Sequence, residues 1–526
     1  MRVTRPGRPA LLIAVLAGCL ALTQPALAAS PAAAAGQPGT RAGSAAPAAV
    51  AGRASHRTLL VTIRYRAAQD GARRAAAGAP AGDRPDQPGG VAPYLARTSR
   101  AFTARKEALL RRHPGVRVLA RYRMLPELLV RVRGAAAARS LAADPGVRSV
   151  VPVRTHRLAA ASPPAPSPGA SSSAVPSPAA ASSGAPSFAA PSPAAPSSAA
   201  ASSAVTPDRT PADLELINDL AAQASGDRGA GTAVAVLDDG TNYHRLAFGS
   251  CPRPGAAGCR VLAYRDFAAP PRRGLSFSGH GTNVAGQVLK VAPDTALVIG
   301  NVFHRTAQGP VVANSDLISG LNWVLTQAAR RSPGYSFRAV NMSLGDPFTY
   351  HQDWCGGSPF TGAFSQLRAV GIQPVVAAGN SAYQGTTFRD GISTPACAPG
   401  TLAVGAVFDG DYGPVTVSQP GSTCSDPATY AGEITCFSQG GPLVGLLAPG
   451  WKETAAGVTK SGTSQATPLV TGAIAALASG AMARPTSQLV TAMLQAGHPV
   501  QDARTGLMVP RLDVWAAEQR LARGEP

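Results

Sequence analysis

Hydrophobic positions in the second half of the chain fall into short, nearly uninterrupted runs. Four such runs lie between stretches with helical spacing: Ala233–Leu237, Ala296–Ile299, Ala339–Ser343 and Gln373–Ala378. Short strands that are apolar on both faces and separated by helices predict a parallel sheet covered by helices on both sides. In such α/β folds ligands bind at the carboxyl ends of the strands, so the residues that follow these runs are the first candidates for chemistry.

A different pattern runs through residues 58–157. Alternating apolar positions predict four strands, and an amphipathic spacing predicts two helices. The strands are placed at 59–63, 116–120, 128–132 and 147–151, and the helices at Phe102–Arg112 and Ala135–Ala143. The order β-α-β-β-α-β is that of a small α+β sandwich. We therefore expect a separate domain ahead of the parallel sheet, which would occupy residues 206–526.

Three other segments are not expected to belong to a folded domain. Residues 1–28 are predicted to be a signal peptide, with three arginines, an apolar run and a cleavage site after Ala28. Leu-Ala-Gly-Cys at Cys19 resembles a lipidation box, so lipid anchoring is the alternative. Residues 29–57 form a disordered leader and 158–205, almost wholly Ala, Ser and Pro, a linker. With no other run long enough to span a membrane, we expect a secreted, extracellular protein.

The net charge of +20 belongs to one part of the chain. Residues 1–205 contain 26 Lys and Arg against 6 Asp and Glu, whereas residues 206–526 contain 22 of each. A surface for nucleic acid would keep its basic residues in the working domain. The distribution therefore argues against a nucleic-acid partner.

Six cysteines follow Cys19, and an even number in an exported chain predicts disulfides. Cys251–Cys259 and Cys424–Cys436 would close the shortest loops, leaving Cys355–Cys397. Sequence alone permits fifteen pairings. A zinc site is the alternative, but Cys-x-x-Cys is absent from the chain.

The stretch Ser461–Gly480 places Ser464 ahead of a run of small and apolar residues. Pro468 predicts that a helix begins close by, because proline is tolerated in the first helical turn. Ser464 then lies just before or within that turn. Two interpretations are open: a helix cap, as serine often is, or a nucleophile at a helix N-terminus whose N–H groups would hold an oxyanion.

Two further motifs favour the nucleophile. Asp238 follows the apolar run 233–237, and His280 lies between glycines in Ser-Gly-His-Gly-Thr-Asn-Val-Ala-Gly. Each alone has an ordinary explanation, a loop-capping carboxylate and a packed or surface histidine. Together Asp238, His280 and Ser464 stand in one of the chain orders in which an Asp-His-Ser triad occurs.

On these motifs residues 206–526 resemble the subtilisin-like serine proteases, and residues 58–157 resemble their inhibitory propeptide. The motifs are His-Gly-Thr-x-Val-Ala-Gly from His280, Gly-Thr-Ser-x-Ala-x-Pro at 462–468, Ala-Ala-Gly-Asn at 377–380, and Ser343, Leu344 and Gly345. The resemblance implies a three-layer α/β fold and a secreted endopeptidase, made as a self-processing zymogen, that cleaves peptide bonds through an acyl-enzyme. We expect a monomer whose partners are protein or peptide substrates and its own propeptide as intramolecular inhibitor.

The resemblance also implies roles for individual residues. Ser464 would be the nucleophile and His280 the general base, with Asp238 holding the imidazole. Asn380 and the Ser464 backbone N–H would form the oxyanion hole. The strand edge Ser343–Gly345 would pair with the substrate backbone.

The match departs from the family in its acidic residues. Asp239 follows the candidate acid where bacterial subtilisins carry Ser or Thr, and Asp-Asp-Gly resembles the kexin branch without implying dibasic specificity. Asp346 and Asp390 would favour a basic P1 side chain if they face it, and are otherwise solvated loop carboxylates.

A second departure concerns cofactors, of which we expect none. Only Gln287–Lys290, without a carboxylate or Asn, separates Gly286 from Val-Ala-Pro, so the tight calcium loop of the family is expected to be deleted. Weaker calcium sites are left open. Two other functions also stay open on this fold, a non-catalytic binding module and an esterase, although no Gly-x-Ser-x-Gly surrounds Ser464.

Overall fold

The computed structural model describes residues 56–65, 90–158, 211–268, 276–307, 309–331, 334–480 and 484–525. The predicted signal peptide with Cys19 lies outside the described residues, as do most of the leader and nearly all of the linker. Helices and strands are numbered in chain order among the described residues. No described helix has the length and hydrophobicity needed to cross a membrane.

The small N-terminal domain has its elements in the predicted order. They are β1 (His56–Ile63), α1 (Val91–Arg112), β2 (Arg117–Arg121), β3 (Glu127–Arg133), α2 (Gly134–Ala143) and β4 (Val147–Pro152). The strands form an antiparallel sheet in the order β2-β3-β1-β4. Apolar side chains from the strands and both helices form its core: Leu59, Val61, Ile63, Phe102, Leu109, Leu128, Val130, Val132, Leu141 and Val147.

Helix α1 begins at Val91, and the prediction that it begins at Phe102 is wrong. The prediction followed the apolar spacing of the second half, which packs inside the small domain. The first half buries Tyr94 and Leu95 among side chains of the large domain instead. Packing on a partner surface stabilises helix that local amphipathic spacing does not reveal.

A nine-stranded sheet forms the centre of the large domain. The strands are β6 (Thr232–Asp238), β7 (Val261–Asp266), β8 (Ala296–Asn301), β11 (Ser336–Met342), β13 (Gln373–Ala377), β16 (Leu402–Val407), β19 (Val444–Pro449), β22 (His498–Gln501) and β23 (Met508–Arg511). Their order in the sheet is β22-β23-β19-β16-β13-β11-β6-β8-β7, and every neighbouring pair is parallel except β22 with β23.

Helices cover both faces of this sheet. They are α3 (Pro211–Leu216), α4 (Asp219–Ser225), α5 (His280–Val291), α6 (Asn314–Arg331), α7 (Thr361–Ala369), α8 (Thr463–Gly480), α9 (Thr486–Ala496) and α10 (Val514–Ala522). The alternation of β6 shows the layers: Val234 and Val236 share one hydrophobic cluster with α5 and α8. Ala233, Ala235 and Leu237 share the opposite cluster with α6 and α7. The predicted three-layer α/β architecture is confirmed.

Short antiparallel strands complete the described chain. One sheet, in the order β12-β5-β10-β9, is made of β5 (Thr155–Leu158), β9 (Phe303–Thr306), β10 (Gly309–Ala313) and β12 (Leu344–Gly345). Three two-stranded ribbons are formed by β14 (Tyr383–Gln384) with β15 (Thr387–Phe388), β17 (Val415–Gln419) with β18 (Ser422–Asp426), and β20 (Glu453–Ala455) with β21 (Val458–Lys460).

The small domain packs directly against the large one. The hydroxyl of Tyr122 donates to the carbonyl of Ser315 at 3.1 Å, and the N–H of Met124 donates to the side chain of Asn322 at 2.8 Å. Both acceptors lie on α6. The interface therefore joins the loop between β2 and β3 to one helical layer of the large domain.

Three disulfides lie in the large domain. They join Cys251 to Cys259, Cys355 to Cys397 and Cys424 to Cys436. This is the pairing that the short loops favoured, and it agrees with the prediction that all six cysteines are oxidised.

Candidate active site

The end of β6 and the start of α5 meet in a buried hydrogen-bonded pair. Asp238 is the last residue of β6 and His280 the first of α5. The Nδ1 atom of His280 lies 2.8 Å from Asp238 Oδ1, and both side chains are at most 1% exposed. We assign a proton to Nδ1 because that nitrogen faces the carboxylate, which leaves Nε2 as the basic nitrogen.

Two glycines allow this close approach. Gly279, which precedes α5, has a φ of +77°, a left-handed conformation that favours glycine. A Cβ atom on Gly281 would lie 2.1 Å from the carbonyl oxygen of Gly240, so any larger residue would push α5 away from the loop after β6. The glycines around His280 are therefore requirements of packing.

Ser464 is the second residue of α8, which begins at Thr463. Pro468 lies in the second turn, and the prediction that it marks the first turn is wrong. Because proline has no N–H, the carbonyl oxygen of Ser464 cannot accept the usual helical bond from residue 468. The hydroxyl of Ser343 donates to this oxygen at 2.7 Å. The proline thus releases a carbonyl that links the serine helix to the predicted substrate strand.

A chain of hydrogen bonds continues this link. The hydroxyl of Ser464 donates to the carbonyl of Ser343 at 3.2 Å. The Asn341 side chain donates to the Ser343 hydroxyl at 3.0 Å, and Thr471 donates to Asn341 at 3.0 Å. The predicted nucleophile and the predicted substrate strand are therefore held in one network.

Asn283 and Gln465 connect the histidine helix to the serine helix, and neither was predicted from the sequence. The Gln465 amide donates to the Asn283 side-chain oxygen at 3.1 Å, and Asn283 donates in turn to the carbonyls of Glu453 and Val458. Both residues lie inside the two motifs, in His-Gly-Thr-Asn and Thr-Ser-Gln. Their polarity within an apolar helix face was the signal that could have found them.

The Nε2 atom of His280 has no hydrogen-bond partner among the described residues, although it is buried. The structure thus joins His280 to Asp238 and Ser464 to Ser343, without a direct bond between His280 and Ser464 in the described part of the chain. Catalytic hydrogen bonds of this kind often tighten only when a substrate is in position.

Asn380 lies just after β13, at the carboxyl end of a sheet strand. Its side-chain oxygen accepts from the N–H and the hydroxyl of Thr463, at 2.9 and 2.8 Å. The backbone N–H can only donate, so this contact fixes which end of the amide is oxygen. The amide NH₂ group is consequently directed away from Thr463, the residue before Ser464.

The predicted substrate strand is paired with the segment that follows the small domain. Leu344 pairs with Leu158 and Gly345 with Arg157, in antiparallel register. On its other side the same segment pairs with β10, where Val311 faces Arg157. The segment 155–158 is therefore the middle strand of three, and its pairing with β10 was not predicted from the sequence.

The pKa values of both partners of the Asp238–His280 pair lie above their ordinary values. Burial alone lowers the pKa of His280, but the charge and hydrogen bond of Asp238 and the charge of Asp239 outweigh it, so the pKa lies above its ordinary value. Lys460 opposes this rise. Complete burial raises the pKa of Asp238, and His280 opposes that shift. His280 therefore keeps its proton to a higher pH than an exposed imidazole.

The two acidic residues considered for P1 have local partners. Asp346 accepts from the N–H of Phe348 at 3.0 Å, which closes a turn. Asp390 accepts from the Gln352 amide at 3.1 Å. Both side chains are partly buried. Their contacts are those of loop-forming carboxylates, and a role in P1 preference stays a prediction.

A buried lysine occupies the region where the tight calcium loop of the family was expected to be deleted. The ammonium group of Lys290 forms an ion pair with Asp213 and donates to the carbonyl of Thr454 at 3.1 Å. Within the described ranges, no group of three or more His, Cys, Asp or Glu residues is arranged to hold a metal ion. That this chain needs no calcium stays a prediction.

The chain is similar to one protein family model and to several known proteases. The model of the subtilase family matches residues 229–502. Alkaline protease 1 of Aspergillus clavatus is 30% identical over 256 residues, which cover 46% of this chain and 51% of that protein. Subtilisin of Bacillus pumilus is 29% identical over 283 residues, 51% of this chain and 84% of that protein.

Serine protease AprX of Bacillus subtilis is 28% identical over 286 residues, 47% of this chain and 57% of that protein. The chain spans about half the length of several of the curated relatives it matches. The family match covers more than half of the chain and contains Asp238, His280, Asn380 and Ser464. The chain therefore belongs to the subtilase family.

Proposed function

We propose that this protein is a secreted serine endopeptidase that is made as a zymogen and cleaves itself. The observation that carries the proposal is the buried Asp238–His280 pair, linked through Asn283 and Gln465 to the helix that presents Ser464. Relatives named as proteases support the same chemistry.

The reaction follows from the positions of the donors and acceptors. Ser464 Oγ attacks the carbonyl carbon of a peptide bond, and His280 Nε2 takes the hydroxyl proton. Asp238 stabilises the imidazolium through Nδ1–H. The Asn380 amide and the Ser464 N–H donate to the oxyanion. His280 then passes the proton to the leaving amine, and a water molecule releases the acyl group by the same steps in reverse.

The substrate backbone would extend β12 as an added strand, a mode that depends on main-chain hydrogen bonds and tolerates many sequences. The segment 155–158 takes this place between β10 and β12. We infer that residues 56–158 act as an inhibitory propeptide, and that Ser464 cleaves within a few residues after Leu158. Such a cleavage is intramolecular, so a high effective concentration would make it fast.

Replacement of the nucleophile tests the whole proposal. Ser464→Ala, produced in a host that lacks extracellular proteases, should accumulate uncut, whereas the wild type should yield a product whose N-terminus lies shortly after Leu158. N-terminal sequencing and intact mass spectrometry measure the difference. Ser487→Ala, an exposed serine on α9, is the matched control and should mature normally.

Three results would separate this proposal from its rivals. A Ser464→Ala protein that matures at the same site would show that another enzyme does the processing. A wild type that a fluorophosphonate fails to label at Ser464 would favour a binding module. An esterase would turn over esters but not peptides of matched sequence.

A further inference from the structure

Asp239 follows the candidate acid directly and is as deeply buried. Its side chain is 0% exposed. Four donors surround its two oxygens. The Ser276 hydroxyl and the Gly281 N–H donate to Oδ1 at 2.6 and 2.8 Å, while the N–H and the hydroxyl of Ser278 donate to Oδ2, the N–H at 3.0 Å. Each oxygen thus accepts two hydrogen bonds.

All four donors belong to the loop before α5 or to its first turn. Gly279 stands at the N-cap and supplies no side chain, so the N-cap residue itself does not cap α5. The first N–H groups of a helix lack partners within the helix and carry partial positive charge. The Asp239 carboxylate meets one of them at Gly281, and the Ser278 hydroxyl that donates to Asp239 also accepts from the His280 N–H at 3.2 Å. Asp239 therefore caps α5 from a distant part of the chain.

These contacts leave Asp239 unsuited to bind a basic substrate side chain. A carboxylate offers about four acceptor positions, and all four are in use. A Lys or Arg side chain of a substrate would have to break these buried charge-assisted hydrogen bonds.

We propose that Asp239 is a positioning residue: it caps α5 to fix the His280 imidazole between Asp238 and Ser464, and it adds a second negative charge behind the imidazolium. The inference rests on the proposed protease function. It assigns to Asp239 a role in catalysis by way of His280, and none in substrate specificity.

The charge of Asp239 acts on His280 together with two other groups. Asp238 and Asp239 both favour the imidazolium, and Lys460 disfavours it. Removal of the Asp239 charge with Asp238 and Lys460 in place should therefore lower the pKa of His280. A group that served only to hold the loop would not move this pKa if a neutral isostere kept the loop in position.

The test compares Asp239→Asn with the unchanged chain in two ways. In full-length protein carrying Ser464→Ala, ¹⁵N-histidine NMR follows the His280 imidazole through a pH titration, with the signal assigned by His280→Gln. The imidazolium pKa should fall by at least about 0.3 in Asp239→Asn. This measurement does not depend on turnover, so it separates failure of the inference from failure of the proposed function.

Kinetics of the self-processed enzyme supply the second measurement. Asp239→Asn should lower kcat by roughly 10- to 100-fold with KM within twofold, because misplacement of a catalytic group is costly. The acidic limb of the kcat/KM profile should move to lower pH. Asp411→Asn, an exposed carboxylate that closes a loop turn, is the matched control and should change neither quantity.

Three outcomes would overturn the inference. One is an unchanged His280 pKa together with an unchanged kcat. The second is a selective loss on peptides with Lys or Arg next to the cleaved bond, since Asp239 would then contact substrate. If Asp239→Asn does not fold, Ser276→Ala and Ser278→Ala each remove one donor and keep the charge. Both should lower kcat without a change in KM, and an unchanged kcat in both variants would be the third contrary outcome.

Discussion

The two domains are stabilised in different ways. The large domain contains three disulfides, one of which joins residues 42 positions apart. Residues 56–158 contain no cysteine, and their core of ten apolar side chains is accompanied by a buried lysine and a buried glutamate. The difference indicates that covalent cross-links stabilise the large domain, whereas the stability of the small domain depends on pH and on its contact with the large one.

The buried pair is Lys106 and Glu127. The Lys106 ammonium donates to the carbonyls of Tyr122 and Leu125, both at 2.6 Å. Neither carboxylate oxygen of Glu127 has a hydrogen-bond partner among the described residues. Burial lowers the pKa of Lys106 to about 8 and raises the pKa of Glu127 to about 8. The stability of the small domain is therefore coupled to pH in a way that disulfides are not.

Removal of the disulfide that closes the longest loop should give the largest loss of unfolding free energy. Cys355→Ser with Cys397→Ser, in the Ser464→Ala background that prevents self-cleavage, should lower the unfolding free energy of the large domain by about 4 kcal/mol, because a long loop gains most entropy when it is opened. Cys251→Ser with Cys259→Ser opens a separation of 8 residues and should cost roughly 2.5 kcal/mol. Urea unfolding followed by tryptophan fluorescence measures both, and an equal loss for the two would contradict the loop-length argument.

The next largest effect should be a pH-dependent change in the stability of the small domain. Between pH 4.5 and 8 the folded Glu127 holds a proton that the unfolded chain has released, so stability falls as pH rises. Between pH 8 and 10.5 the folded Lys106 has lost a proton that the unfolded chain retains, so stability rises again. The minimum should lie near pH 8.

Glu127→Gln removes the acidic side of this minimum, an effect on the order of 2 kcal/mol. Hydrogen exchange of peptides from residues 56–152, measured across pH in the uncut Ser464→Ala protein, reports the stability of the small domain alone. Glu107→Gln on the exposed side of α1 is the control. A profile in which Glu127→Gln and the parent coincide between pH 5 and 8 would refute the coupling.

The smallest change should come from the interface between the domains. Asn322→Ala removes the acceptor for the Met124 N–H, and a lost hydrogen bond of this kind costs about 1 kcal/mol. Exchange should increase in residues 56–152 and stay unchanged in β6 and β8. Increased exchange in both domains would mean that the two unfold as one unit.

The elements buried on both faces were the most predictable from sequence. The run Ala233–Leu237 became β6, one residue longer at each end, because an apolar run of that length has few alternatives to a central strand. Strand β10 was missed because Gly309–Ala313 is short and owes its conformation to β5 and β9 on either side. The predicted start of helix α1 was too late for a similar reason, because its first half is stabilised by packing against the large domain.

The candidate site divides in the same way. Asp238, His280 and Ser464 were predictable because each lies in a short sequence motif that indicates its chemical role. The function of Asp239 depends on Ser276 and Ser278, about 40 positions later in the chain, and no local pattern connects them. The position of Pro468 within α8 was predicted wrongly because the hydrogen bond that compensates for its missing N–H comes from Ser343, in a distant part of the chain.

The strand Thr155–Leu158 lies between β10 and β12, and the stability of this contact depends on whether the chain is intact. While the chain is intact, this contact has no concentration dependence, because both partners belong to one molecule. A single cut after Leu158 would convert it into an encounter between two molecules, and the high effective concentration supplied by the connecting chain would be lost. Dilution after release would then favour dissociation of the small domain, and this dissociation would activate the proposed enzyme without any further signal.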